Sequence, residues 1–463
     1  MAYARVHEDP AYDPSAVFYG LQGSRGLDGS SGSSGSNGPT RSSPQSPSPR
    51  LVCVDAKGSV RRELPAEIED DGVGDVSVEL WDGAVQDVAS ASRMPRQSAS
   101  TSASAPAYFG DFMGVKPGRM HVLSTLTRGS REERAWSVHR ERCPVHKEEM
   151  EAIEDSVRVM AERSDSLAGY VVTAEDSGVW GNVTSNVMEE LRDDYRGKTV
   201  VLFATREGDE RIEEMRDGED RSATARLLSE GLAMASLASL VDLYVPVIGG
   251  SRDGSSLFRS SLVGAVGIFG ATMPLVTGGR DGAPAIDMAG LANGLVSGHH
   301  RCPLATLDVF SPALTSPVSL SGHARADDVG RITEHVSLLR SRNATGGDVF
   351  LSEADREAFA ALLSGEDVVL SHPSARTVSR IPAGVPVIRG MDAASGFRTG
   401  AASIPCAAVL GSTTAFGPEL RELAGMFGPR QARDRAALLE SWGVQGDADE
   451  VHEGLLSLAE CFE

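Results

Sequence analysis

Between residues 169 and 204 the sequence alternates in a way that few folds accommodate. Gly169-Tyr170-Val171-Val172-Thr173 is a short apolar, β-branched run, followed by a Gly/Asp/Ser turn, a helical stretch from about Asn182 to Asp194, and a second apolar run from Lys198 to Ala204. Two buried runs too short for helices, joined by a helix, form a βαβ unit. Such a unit implies a parallel sheet, because only a crossover returns the chain in the same direction. Parallel sheets are buried on both faces, so the rest of the chain has to supply covering helices.

It does so on both sides of the unit. Glu148 to Ser164 reads as a helix with Met150, Ile153, Val157 and Met160 on one face. After a charged linker, Arg206 to Arg221, Ala/Leu/Ser-rich helices run from Ser222 to Leu240, with a strand at Leu243 to Ile248. Further helices are expected near Leu257 to Phe269 and Ile286 to Leu295, strands at Val368 to Leu370 and Val385 to Arg389, and closing helices at Pro418 to Phe427 and Asp449 to Phe462. Upstream, Leu51 to Asp55 reads as a buried strand, and Val76 to Leu80 alternates before the turn Trp81-Asp82-Gly83. The segment Gly20 to Ser48 is largely Gly, Ser and Pro, and Ala89 to Ala107 is rich in Ser and Ala. Neither can bury enough apolar surface to offset its ordering entropy, so both are expected to be disordered.

The 463 residues include 65 acidic and 44 basic side chains, a formal charge of −21. That field repels phosphate backbones and anionic lipid heads, so nucleic-acid binding is not expected. The longest apolar run, Leu262 to Val276, is too short to span a bilayer and contains three glycines and a proline. Five scattered cysteines (Cys53, Cys143, Cys302, Cys406 and Cys461) form no disulfide pattern and fit a reducing compartment. The N-terminal stretch is too acidic for a transit peptide and lacks a secretory apolar segment. Cys143-Pro144-Val145-His146 has a metal-like spacing that no second pair completes at zinc-finger distance, and no metal site is expected. No Gly-x-Ser-x-Gly elbow is present, and no Lys-Ser/Thr pair follows the loop Gly249 to Gly254.

Several motifs occur in an order that narrows the reading. Pro49-Arg50-Leu51-Val52-Cys53-Val54-Asp55 resembles the Pro-Arg-x-x-x-Val-Asp strand of the tubulin superfamily. Asp55-Ala56-Lys57-Gly58-Ser59 followed by Trp81-Asp82-Gly83 resembles the narrower Misato family. Tyr108 to Phe112 with Pro117-Gly118-Arg119 is similar to another Misato segment. Leu167 to Tyr170, Trp180-Gly181 and Glu189 to Tyr195 are similar to both groups, and Leu227 to Val247 resembles the helix-then-strand stretch before the tubulin core helix. Val409 to Thr414 and the helix after it look like the Misato C-terminal region. Nothing before Pro49 matches the superfamily's Gln-x-Gly opening. That segment is either divergent or missing, and the sheet is expected to lack its first strand or to have it supplied otherwise.

This resemblance implies a tubulin/FtsZ-like α/β fold: a parallel-sheet, nucleotide-binding-type domain, a second α/β domain and C-terminal helices. The expected division is 1–48 disordered, 49–250 the tubulin-like domain with a disordered insert near 89–105, 251–400 the core helix and intermediate domain, and 401–463 helical. The phosphate loop of such a domain uses glycines to point several N–H groups at one anion. Here the matching stretch is Asp176 to Asn182, so Ser177, Gly178, Gly181 and Asn182 are the candidate phosphate contacts. Asp176 adds a negative charge beside them, Trp180 adds bulk, and Lys57 stands where the family carries a magnesium-binding acid. No catalytic residue is assigned; Asp287, where the family's catalytic acid falls, reads as a helix-start acid. The resemblance implies a non-catalytic protein of mitochondrial distribution and morphology, in the cytoplasm and at the outer mitochondrial surface, with tubulin or the cytosolic chaperonin as partners. The alternative is a GTP-binding, tubulin-like GTPase or a microtubule- or spindle-associated protein.

Overall fold

The computed structural model describes residues 18–19, 48–49, 51–56, 121–126, 147–162, 164, 166–176, 178–207, 221–249, 257–276, 286–295, 303–310, 318–321, 331–339, 376–381, 385–386, 403–404, 406–428, 433–442 and 447–462. The Ser/Ala-rich insert, nearly all of the Gly/Ser/Pro-rich segment, and the Val76–Leu80 and Val368–Leu370 expectations lie outside these residues.

The βαβ expectation holds and extends. Strands β3 (Gly169–Glu175), β4 (Thr199–Glu207) and β5 (Leu243–Gly249) form a parallel three-stranded sheet in that order. A second parallel pair joins β1 (Val52–Ala56) to β2 (His121–Leu126). Between β2 and β3 lies helix α1 (Lys147–Glu162), whose first turn carries Glu148 and Glu149, the favourable sign for a helix start. Ile153, Ser156 and Met160 are its buried positions. Helix α2 (Gly178–Asp194) crosses from β3 to β4, and α3 (Arg221–Leu240) from β4 to β5.

Strand β4 runs to Glu207, three residues beyond the expected end, so Arg206 belongs to the sheet and not to a charged linker. Val201, Leu202, Phe203 and Ala204 have no exposed surface. Successive strand residues face opposite ways, and each face has its own core. Val200, Leu202 and Ala204 pack with α3 and with the closing helices α6 (Phe416–Gly425), α7 (Arg433–Ser441) and α8 (Ala448–Glu460), through Phe416, Phe427, Trp442 and Phe462. Gly231 on α3 makes this layer possible, since a Cβ there would lie 2.6 Å from the Phe427 ring.

On the other face, Val201 and Phe203 pack with α4 (Leu257–Val276) and α5 (Met288–Leu295). α4 is seven residues longer than expected and carries Pro274 inside it. It presses on a second, mixed sheet built from β6 (Thr306–Phe310), β7 (Val318–Ser319), β8 (Arg331–Leu339), β9 (Arg376–Ile381) and β10 (Cys406–Thr413), in the order β9-β8-β10-β6-β7. Gly267 faces Val309 and Leu320, which would stand 2.7 and 2.5 Å from an added Cβ. β5 is hydrogen-bonded to the chain entering β6, Tyr244 N–H donating to the Pro303 carbonyl and Ala305 N–H to the Tyr244 carbonyl at 3.0 Å. Of the expected Val385–Arg389 strand, Val385–Pro386 is a short ladder with Ser403–Ile404.

β2, β6, β8, β9 and β10 were not read as strands in the sequence, and β10 stands within 401–463, which was expected to be helical. In β8 the described buried positions are Thr333, His335 and Ser337, so its inward face reads as polar and hides the usual alternation. Burial lowers the His335 pKa to about 4, against 6.5 in the unfolded chain. Between these values the unfolded chain binds more protons than the folded one. The neutral ring therefore favours folding fully above pH 6.5, and that contribution is lost as pH falls toward 4. Chemical denaturation at pH 7.5 and 4.5 will show a stability loss of which roughly 2–3 kcal/mol disappears in His335→Leu. An unchanged pH slope in the variant would place the loss elsewhere.

Candidate functional site

The strand-to-helix turn after β3 is where a phosphate-binding domain of this topology places its anion. β3 ends at Glu175 and α2 begins at Gly178, so only Asp176 and Ser177 connect them. Helix α2 thus starts four residues earlier than the sequence reading placed it. Gly178 is its first residue, and Gly181 and Asn182, both buried, lie within its first two turns. Beyond the first turn of an α-helix, each amide is spent on the carbonyl four residues back. Asn182 also uses its side chain locally, its Oδ1 accepting from Asn186 Nδ2 at 2.6 Å. Ser177 lies outside the described residues, as does Lys57. The structure brings Gly178, Gly181 and Asn182 together on one helix start, in place of a glycine loop that encircles an anion.

Asp176 has no exposed surface. Its Oδ2 accepts from Arg206 Nε at 2.8 Å and pairs with Arg206 Nη2 at 2.7 Å. The Tyr244 hydroxyl donates to the same oxygen and accepts from Arg206 Nη2 at 2.8 Å. Arg206 and Tyr244 lie on the adjacent strands β4 and β5, and Asp176 directly follows β3, all on the sheet face turned toward α3. Glu230 of α3, also buried, contributes a second negative charge near Arg206. Burial works against the Arg206 cation, but Asp176, Tyr244 and Glu230 outweigh it and hold its pKa well above the ordinary value. Burial, with the Asp176 charge and hydrogen bond, pushes the Tyr244 phenol well up despite Arg206, so the phenol keeps its proton and donates it.

The Arg206 cation at these strand ends is paired with the chain's own Asp176 carboxylate, so it does not stand free as an anchor for an added anion. Sequence reasoning flagged Asp176 but missed Arg206, Tyr244 and Glu230. The available signal was an arginine directly after an apolar strand, which composition assigned to the linker.

Two other motif residues are structural. Arg192 donates from Nη2 to Asp242 Oδ2 at 2.8 Å, from Nη1 to the Lys198 carbonyl at 3.1 Å, and from Nε to the Leu240 carbonyl. It thereby ties the end of α2 to the starts of β4 and β5. Asp287 is exposed and accepts from the Gly290 amide, the geometry of an N-terminal cap on α5. Cys143 to His146 and His299 to Cys302 lie outside the described residues.

A family model described as a tubulin domain matches residues 126–276. The match runs from the end of β2 through α4, less than half of the 463 residues, and contains Asp176, Arg206 and Tyr244. No curated protein matches the chain. The protein has a tubulin-like α/β fold.

Removing one partner of a buried pair strands the other's charge, which costs far more than the pair itself contributes. Asp176→Ala is expected to lower unfolding stability by about 3–5 kcal/mol, and Tyr244→Phe by about 1–2 kcal/mol, measured by urea denaturation. The double variant Asp176→Leu/Arg206→Met should lose less than the sum of its single changes. Strict additivity would show that the pair is not coupled.

Proposed function

We propose that this protein is a non-catalytic, tubulin-like scaffold or interaction protein of the Misato type, acting in mitochondrial organisation. The single observation that carries the non-catalytic half is Asp176, neutralised inside the protein by Arg206 and Tyr244 at the point where a nucleotide's phosphates would have to enter. Lys57, read from the sequence beside the tubulin-type Val54-Asp55 strand, weakens the magnesium half of such a site in the same direction. The Misato half rests on the ordered series Asp55-Ala56-Lys57-Gly58-Ser59, Trp81-Asp82-Gly83 and Glu189 to Tyr195. The tubulin-domain match supports the coarser family.

In this reading the protein works from the cytoplasm at the outer mitochondrial surface. No helix among the described residues is long and apolar enough to cross a membrane, so contact with the organelle would run through a protein partner. Tubulin and the cytosolic chaperonin are the partners that the resemblance implies. The tubulin-domain match also favours a second reading, a nucleotide-binding GTPase or a microtubule-associated protein, and two measurements separate them.

Fluorescent GTP titrated into the purified protein with magnesium is expected to give no saturable binding in the micromolar range. Micromolar or tighter affinity that Gly181→Trp abolishes would overturn the expectation of no GTP binding and favour the nucleotide-binding reading. Depletion of the protein in its own cells is expected to disturb mitochondrial shape or distribution, with rescue by the intact gene. Normal mitochondria beside a spindle or microtubule defect would favour tubulin handling, and normal mitochondria and microtubules together would refute both cellular roles.

A further inference from the structure

Helices α1 and α2 turn the same pattern toward a common cleft. In α1, Met150, Ile153, Glu154 and Val157 stand at i, i+3, i+4 and i+7. In α2, Val187, Glu190, Leu191 and Asp194 repeat that spacing. Each set therefore lies on one helix face. Together with Tyr195, just past the end of α2, these side chains line the cleft between the two helices. Ile153 and Leu191 form its floor, at 2% and 8% exposure, while Met150, Val157, Val187 and Tyr195 stay partly exposed.

Charge in this cleft is one-sided. Burial raises the pKa of the Glu154 carboxyl, and the charges of Glu190, Asp194, Glu151 and Asp155 push it the same way. A carboxylate set in apolar surface among like charges is an unfavourable arrangement that an added cation relieves. The chain's own nearby cations are committed to other acids. Arg158 pairs with Asp155 at 2.7 Å, Arg192 with Asp242 at 2.8 Å, and Arg196 with Asp193 at 3.6 Å. Among the described residues, Glu154 and Asp194 take part in no ion pair.

Two further features decide the class of ligand. No three metal-ligating side chains among the described residues stand close enough to share a metal ion, so these carboxylates call for separate cationic groups. The cleft is also shallow and open, without the enclosed volume of a small-molecule site. What fits is a polypeptide lying across it, with apolar side chains for the floor and cations for both rims.

We propose that the cleft between α1 and α2 docks an amphipathic, basic helix of a partner protein. Its apolar face packs on Met150, Val157 and Val187, and its lysines or arginines pair with Glu154, Glu190 and Asp194. The inference goes beyond the scaffold reading, because it names the chemistry of a docking site whatever the cellular role.

The probe is a labelled synthetic helix of about 18 residues, with leucines along one face and lysines elsewhere. It is titrated into the full-length protein at low salt. One control peptide carries glutamates for the lysines, and another carries serines for the leucines. Binding of the leucine/lysine peptide is expected, with neither control binding. The variant Glu154→Gln/Glu190→Gln/Asp194→Asn should weaken it by about tenfold or more, and Glu154→Gln alone by about two- to threefold. The variant Glu422→Gln/Glu453→Gln/Glu460→Gln removes the same amount of charge from exposed positions on α6 and α8, and should change affinity by less than about twofold. The cleft variants remove mutually repelling charges, so their urea midpoints should stay level or rise. Equal losses in the two triple variants would overturn the proposal, since the peptide would then be reading overall charge. Undiminished binding of the serine peptide would remove the apolar floor from the account and overturn it too. Self-association that only the cleft variant abolishes would make the occupant a second copy, and no binding at tens of micromolar would show that the cleft is not a free surface; either result refutes the partner-helix assignment. None of these outcomes bears on nucleotide binding or mitochondrial shape, so the scaffold reading stands or falls separately.

Discussion

Four consecutive residues, Val201 to Ala204, lose all contact with solvent. A strand turns successive side chains to opposite faces, so such a run can exist only where both faces are covered. The arrangement of the other layers follows from this constraint. α3 and the closing helices are held on one side by Leu202 and Ala204, and α4, α5 and the second sheet on the other by Val201 and Phe203. The burial of Tyr244 follows too, because β5 lies between β4 and the chain entering β6, and its phenol bonds to Asp176 and Arg206.

That enclosure explains why Asp176, Arg206 and Tyr244 form a closed set. An unpaired guanidinium at this depth would be prohibitively unstable, and the carboxylate beside it offsets most of that cost. A buried ion pair of this kind is a weak source of stability but a strong barrier to change. Either member can be altered only together with the other, and an external anion has to displace an internal one. At this strand-to-helix junction the carboxylate and the guanidinium are committed to each other. The early start of α2 places Gly181 beyond the first-turn amides, where its N–H is used within the helix, while Gly178 is the first residue of the helix.

The two sides of β3 contrast with this. On the side of β4 the backbone is fully engaged, and on the face under α2 and α3 Tyr170, Val172 and Ala174 join the core. On the outer edge and the opposite face, Val171 and Thr173 are left to solvent.

Local pattern alone determined the βαβ order, the parallel direction of the sheet, the amphipathic α1 and the closing helices. Each depends on apolar spacing within about twenty residues and on flanking turn chemistry. The strand boundaries were less legible where a polar residue is buried. Arg206 reads as linker because an arginine is rarely found in a core, and Thr333, His335 and Ser337 hide β8 for the same reason. Only the tertiary structure shows what the Asp176 carboxylate is bonded to. Asp176 reads as a surplus charge in the sequence. Its partners stand 30 and 68 residues away, and only strand pairing brings them within hydrogen-bond distance. Likewise, no sequence pattern distinguishes Val171 from Val172. The register of β3 on β4 leaves one facing solvent and packs the other partly buried against the core, because a strand side chain's environment is set by which helix covers its face.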